Sequence, residues 1–226
     1  MLAGLLIWVV YWLEIQLGIN LNDFGIYPRR LTGLKGIFFS PFIHGSLEHL
    51  YNNTLPLMVL TASLFYFYRD VAIQVLLIGF LLSGILTWLT GRPSYHIGAS
   101  GIIYVLASFI FFKGIFAAHY RLVALSLIVV FLYGGLIWYI FPVKDGISWE
   151  GHLSGFLTGL LLALLIKAKT PQDPKYHWER EDYKEEEDEF MKHFDNEGNF
   201  IEKLPDDDNL TKITYHYHKN KEDIGG

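Results

Sequence analysis

The sequence predicts an all-α membrane protein: a bundle of six membrane-spanning helices followed by a polar, acidic tail. Three observations predict it. Of the 226 residues, 52% are hydrophobic, enough for most of the chain to sit in hydrocarbon. Charge is divided sharply. Residues 1–168 hold 6 acidic and 9 basic side chains, whereas the last 58 residues hold 17 acidic and 9 basic. Finally, the apolar part contains six runs close to the roughly 20 residues a helix needs to cross about 30 Å of hydrocarbon. The expected domains are therefore a transmembrane unit over 1–168 and a hydrophilic tail over 169–226. No cysteine is present, which excludes disulfides, iron–sulfur clusters and a thiol nucleophile.

In chain order the runs are Leu2–Ile19, Leu47–Tyr68, Val71–Leu89, Gly98–Ala117, Arg121–Phe141 and Trp149–Lys167. The first lacks a basic leading region and is followed by further spans, so it reads as a helix rather than a cleaved signal peptide. Arg69-Asp70, Gly91-Arg92-Pro93-Ser94 and the stretch from Lys113-Gly114 to His119-Tyr120-Arg121 separate successive runs. The one long link, about Asn20–Ser46, contains an apolar, Gly- and Phe-rich stretch at Leu31–Ile43, interrupted by Lys35 and Pro41. It reads as a loop in the membrane interface rather than a seventh span, with Pro28-Arg29-Arg30 anchoring it at the headgroups. Basic residues divide evenly between the two ends of the bundle, so the positive-inside rule leaves orientation open. In the tail, the acidic run Glu179–Glu189 and Asp206-Asp207-Asp208 predict a largely disordered, solvated segment.

Polar side chains inside apolar helices are costly and usually functional, and here they are ordered. If all six runs cross, the second, fourth and sixth run in the same direction and begin at one face. His49 and Asn53 lie in the first turns of the second, Ser100 in the first turn of the fourth, and His152 in the first turn of the sixth. At 1.5 Å per residue all four fall within about 10 Å of their helix starts. Taken singly, Ser100 is a small packing residue and His152 a helix contact; scattered packing residues need not share a depth. Gly151, Gly155 and Gly159 recur every four residues along the sixth run and give another backbone room to approach. Gly98 and Gly101 do the same beside Ser100. The serine hydroxyl is thus expected within reach of the imidazole, which serves as its base. Asn53, His49 and the Ser100 N–H supply oxyanion donors, and Tyr104 supports the imidazole by packing. Glu150 is expected at the water interface, leaving a dyad without an acid.

These residues resemble a known family. Gly98-x-Ser100-Gly101 with Tyr104, His49-x-x-x-Asn53, and His152-x-x-Gly155-x-x-x-Gly159 are similar, in order and in helix, to the motifs of the rhomboid intramembrane serine proteases. The resemblance covers about residues 1–168. It implies a catalytic Ser100–His152 dyad, oxyanion stabilisation by His49, Asn53 and the Ser100 amide, and hydrolysis of transmembrane protein substrates near their helix ends. His44 also matches a histidine common in the family, whereas Pro28-Arg29 stands where the family usually has Trp-Arg. The resemblance further implies a multi-pass protein of the bacterial inner membrane with cytoplasmic termini and an outward-facing site. Its partners are the lipid bilayer and membrane-protein substrates; no cofactor, metal or nucleic acid is expected. A catalytically silent relative that binds membrane helices is the alternative, although both Ser100 and His152 are present. A metal transporter using His44, His49, His96 and His152 has weaker support, because no HExxH motif and no clustered carboxylates occur.

Overall fold

The structure, a computed structural model, describes residues 2–132, 138–143, 146–169 and 176–201. It divides into two compact units, Met1–Pro171 and Gln172–Gly226. Among the described residues there are no strands; the two β-bridges are isolated pairs, Ile26 with His96 and Phe194 with Phe200. The first unit consists of α1 (Leu2–Leu17), the one-turn α2 (Gly36–Phe39), α3 (Leu47–Phe67), α4 (Ala72–Thr90), α5 (Ser100–Phe116), α6 (Tyr120–Leu132) and α7 (Trp149–Leu165).

The helix α5 is apolar on all sides, as a helix enclosed by others must be. It buries Ile103, Val105, Leu106, Phe109 and Ile110 and touches α3, α4, α6 and α7. Leu50, Leu60 and Leu64 of α3, Val75 of α4, Leu122 of α6 and Leu162 of α7 complete the core. Large apolar side chains also face outward, among them Leu5, Trp12 and Ile15 on α1 and Leu127, Ile128 and Phe131 on α6. Of the described helices, Ala72–Thr90 is long and apolar enough by itself to cross a membrane; Gly4–Leu17, Ser100–Phe116 and Trp149–Leu165 are apolar but shorter. In α3, of 21 residues, Glu48, His49, Asn52 and Asn53 dilute the hydropathy of its first turns.

Two sequence expectations need correction. The fifth run does not continue as one helix to Phe141: α6 is described to Leu132, and Trp138–Ile140 form a 3-10 turn. Pro142 disfavours helical geometry at the residue before it. The stretch Leu31–Ile43 is not a plain loop but a series of short helical turns, Leu31–Lys35, α2 and Ser40–Phe42. It is held close because Cβ atoms at Gly33 and Gly36 would overlap the backbones of Tyr27 and Gly25. Arg29 also caps a helix: its backbone takes φ +56°, and its guanidinium donates to the carbonyls of Leu89 (3.3 Å) and Gly91 (2.8 Å) at the end of α4.

At the opposite end of α7, the Lys113 ammonium donates to the carbonyls of Ala163 (3.1 Å) and Ile166 (2.6 Å), as cations do at helix C-termini. In the second unit, residues 176–201 carry three 3-10 turns. The remainder of the predicted disordered tail, including Asp206-Asp207-Asp208, lies outside the described residues.

Candidate active site

Helix starts build the site. Ser46 caps α3, its hydroxyl accepting from the His49 N–H (3.1 Å), so His49 and Asn53 fall on successive turns of one face. At the start of α5 the chain turns sharply at Gly98, with φ +105°. A side chain there is excluded twice: the backbone region disfavours L-residues, and a Cβ would lie 2.7 Å from the His49 ring. The Gly98 N–H donates to the Ser40 carbonyl (2.8 Å), tying this turn to the segment after α2. Ser100 then opens α5, where the first N–H groups of a helix have no partner within it.

The two helices that carry Ser100 and His152 approach backbone to backbone. A Cβ at Gly155 would overlap the Gly101 carbonyl, and one at Gly159 the Val105 carbonyl. The glycines of α7 are therefore needed by this contact. The Ser100 Oγ lies 2.9 Å from Nε2 of His152. The other ring nitrogen, Nδ1, lies 2.9 Å from the Tyr139 carbonyl. A carbonyl can only accept, so Nδ1 carries the proton and Nε2 presents its lone pair to the serine hydroxyl. Tyr104, one turn after Ser100, stacks on the imidazole at 4.4 Å between ring centres and 17° between planes. His152 is 7% exposed, which fixes the ring between Tyr104, Tyr139 and Ser100.

His49 and Asn53 meet Gly98, two residues before Ser100. The Asn53 amide donates to the His49 carbonyl (3.0 Å); a primary amide has two N–H groups, so one remains for a ligand. His44 packs edge-on against His49, 5.0 Å between ring centres. Burial, with the neighbouring His49 adding to it, lowers the pKa of His44 from its ordinary 6.5 to about 4, so its ring is neutral at pH 7. A cleft opens beside Ser100, lined among others by Ile37, Ser83, Gly84, Ile97 and Gly101.

The predicted residues Ser100, His152, His49, Asn53, Tyr104, Gly98, Gly101 and Gly155 thus come together at one end of the first unit. Glu150 departs from expectation. It is 4% exposed and does not face water, because Arg92 reaches over it: Arg92 Nη1 lies 3.3 Å from Glu150 Oε2, and the Arg92 N–H donates to Oε1 (3.1 Å). Two participants were not foreseen, the Tyr139 carbonyl and the buried His96. A main-chain carbonyl has no residue-type signal. His96, four positions before Ser100, repeats the spacing of Ser148 before His152. Among the described residues, no cluster of His, Asp and Glu has the arrangement of a metal site.

Comparison with known proteins bears on the family. The family model described as Rhomboid domain matches residues 32–169. Uncharacterized proteins of Mycobacterium tuberculosis and Mycobacterium bovis are each 34% identical over 172 residues, 72% of this chain and 72% of theirs. One from Mycobacterium leprae is 33% identical over 158 residues, 66% of this chain and 62% of its own. A match over more than half of the chain, with the serine and histidine both inside it, shows the family: this chain belongs to the Rhomboid family, whose members are integral membrane proteins.

Proposed function

We propose that the protein is an intramembrane serine endopeptidase that hydrolyses peptide bonds in or near transmembrane segments, with Ser100 as nucleophile and His152 as general base. The observation that carries this reading is the chain of contacts from the Tyr139 carbonyl through His152 to the Ser100 hydroxyl, 2.9 Å at each step.

The chemistry follows from it. The Ser100 Oγ adds to the scissile carbonyl while its proton passes to Nε2 of His152. The resulting imidazolium is stabilised by its Nδ1–H bond to the Tyr139 oxygen. Negative charge develops on the former carbonyl oxygen, where the Ser100 N–H, the second Asn53 N–H and the His49 ring are the available donors. Each such donor is worth about 3 kcal/mol in the transition state. Collapse breaks the C–N bond, and the imidazolium returns its proton to the leaving amine. Water, deprotonated by the same Nε2, then cleaves the acyl-serine ester and frees Ser100. Buried polar groups at one end of the bundle supply the water path that a bilayer otherwise denies.

In this reading the six long helices all span, both termini are cytoplasmic, and the site faces outward from a bacterial cell membrane. The substrates are membrane proteins, and no cofactor or metal takes part. Cleavage of a reporter protein with one transmembrane segment, co-reconstituted with the protease in liposomes, tests it. Ser100→Ala and His152→Ala should each abolish cleavage while folded protein is retained, and Asn53→Ala should lose about a hundredfold. Undiminished cleavage by Ser100→Ala would refute the mechanism. No cleavage by the parent under any condition would favour the silent helix-binding relative.

A further inference from the structure

Four residues before Ser100 stands His96, and four residues before His152 stands Ser148. These two also form a hydrogen bond, between His96 Nδ1 and the Ser148 Oγ. The site therefore contains a second serine–histidine contact, with the partners exchanged between the strands of chain. It closes a ring: Ser100 to His152, along the start of α7 to Ser148, across to His96, and along residues 97–99 back to Ser100. The His152 N–H donates to the Ser148 carbonyl (3.2 Å), which closes the α7 side as a helical turn.

Proton positions in the second contact are fixed by the same logic as in the first. His96 Nε2 lies 3.1 Å from the Arg92 carbonyl, which can only accept. Nε2 therefore carries the proton, Nδ1 is the acceptor, and the Ser148 hydroxyl donates to it. Burial lowers the pKa of His96, in keeping with a neutral ring. Ser148 stands at the N-cap of α7 but makes no side-chain cap bond. A serine at this position ordinarily uses its oxygen on the helix's own N–H groups; here the hydroxyl is turned to the segment leading into α5.

A second tie lies further out. Arg92 Nη1 meets Glu150 Oε2 at 3.3 Å, the Arg92 N–H meets Oε1 at 3.1 Å, and Arg92 Nη2 donates to the Ile147 carbonyl at 2.6 Å. The buried carboxylate is thus met by both the side chain and the main chain of one residue. Residues 92–96 are fixed on their other side as well, by the paired N–H···O bonds between Ile26 and His96, 2.9 Å each way.

We propose that His96 with Ser148, backed by Arg92 with Glu150, are positioning residues for the dyad, setting the separation and angle of the Ser100 Oγ and the His152 ring. The proposal rests on the reading of Ser100 and His152 given above. Neither pair touches the reacting atoms. A shift of a fraction of an ångström between two loops is enough to lose a near-attack geometry, and a 1 Å misplacement can cost about a hundredfold. The glycine contact between α5 and α7 fixes how closely the helices approach. The second serine–histidine contact fixes how their first turns are aligned.

The test is the rate of covalent labelling of the full-length protein in detergent by a fluorophosphonate probe, resolved into the maximal rate and the probe concentration at half-maximal rate. Ser148→Ala, Glu150→Gln, Ser148→Thr and Ser100→Ala are compared with the parent, with thermal unfolding measured in parallel. Ser148→Ala and Glu150→Gln should each lower the maximal rate about tenfold and leave the half-maximal concentration within about twofold. Ser148→Thr, which keeps the hydroxyl, should restore most of the rate. Labelling of Ser148→Ala at the parental maximal rate would overturn the proposal while leaving the dyad intact. So would a loss shared by Ser148→Thr and matched by loss of the unfolding transition, which would assign Ser148 to the fold alone. A parent that is not labelled, or is labelled equally after Ser100→Ala, would refute the dyad itself and the proposal with it.

Discussion

A serine beside a histidine gains nothing unless the ring turns a bare nitrogen toward the hydroxyl. At His152 a main-chain oxygen makes that choice: the Tyr139 carbonyl accepts the Nδ1–H bond, the task an aspartate performs in a triad. Tyr104 limits the ring's rotation by lying flat on it. Its replacement should therefore separate ring support from bond-making chemistry. Tyr104→Phe keeps the aromatic face and should retain most of the reporter cleavage in liposomes. Tyr104→Leu should lose about tenfold in turnover, with unchanged dependence on substrate concentration. Equal activity of Phe and Leu variants would deny the ring this role. The types of these residues are legible in the sequence, since a serine, a histidine and a tyrosine in apolar helices are conspicuous. The partner of Nδ1 is not, because every residue has a carbonyl and only tertiary structure selects Tyr139. Glu150 is misread for a related reason. A carboxylate at a helix start ordinarily sits in water, and its burial depends on Arg92, 58 positions away.

Between elements, the decisive contact is the backbone approach of α5 and α7. Glycines at four-residue spacing point to it in the sequence, and the overlaps a Cβ would suffer at Gly155 and Gly159 identify the facing carbonyls, those of Gly101 and Val105. Because backbone cannot yield as a flexible side chain can, Gly155→Val should force the helices apart. Overpacking of this kind costs about 2 kcal/mol. A lowered unfolding midpoint together with lost reporter cleavage is expected, whereas the same change at Gly198, strained at φ +82° but with no atom for its Cβ to meet, should leave cleavage intact. Parental activity in Gly155→Val would contradict the close packing. The helix starts at Leu47 and Trp149 coincide with the sequence reading. The end of the fifth run does not, because an apolar run says nothing about where its hydrogen-bonding pattern changes. The turns between Leu31 and Phe42 are equally hidden, since their packing depends on Gly33 and Gly36 meeting residues 25–27.

For the molecule as a whole, the topology follows from alternation. Helices α3, α5 and α7 begin at one end because each is separated from the next by one helix of opposite direction. Residues from three stretches of sequence, around His49, Ser100 and His152, are thereby brought together. That consequence is readable from six apolar runs alone. The segments between the helices are where the sequence is silent: Arg29 capping α4, Ser40 holding Gly98, and the His96–Ser148 contact all depend on tertiary placement of connecting residues. In the proposed reading this assembly makes Ser100 a nucleophile. The most direct test is to treat the folded protein with a fluorophosphonate, digest it, and locate the adduct by mass spectrometry. An adduct on Ser100, absent after His152→Ala, is the predicted result. An adduct on another residue, or labelling of Ser100 that persists undiminished without His152, would contradict it.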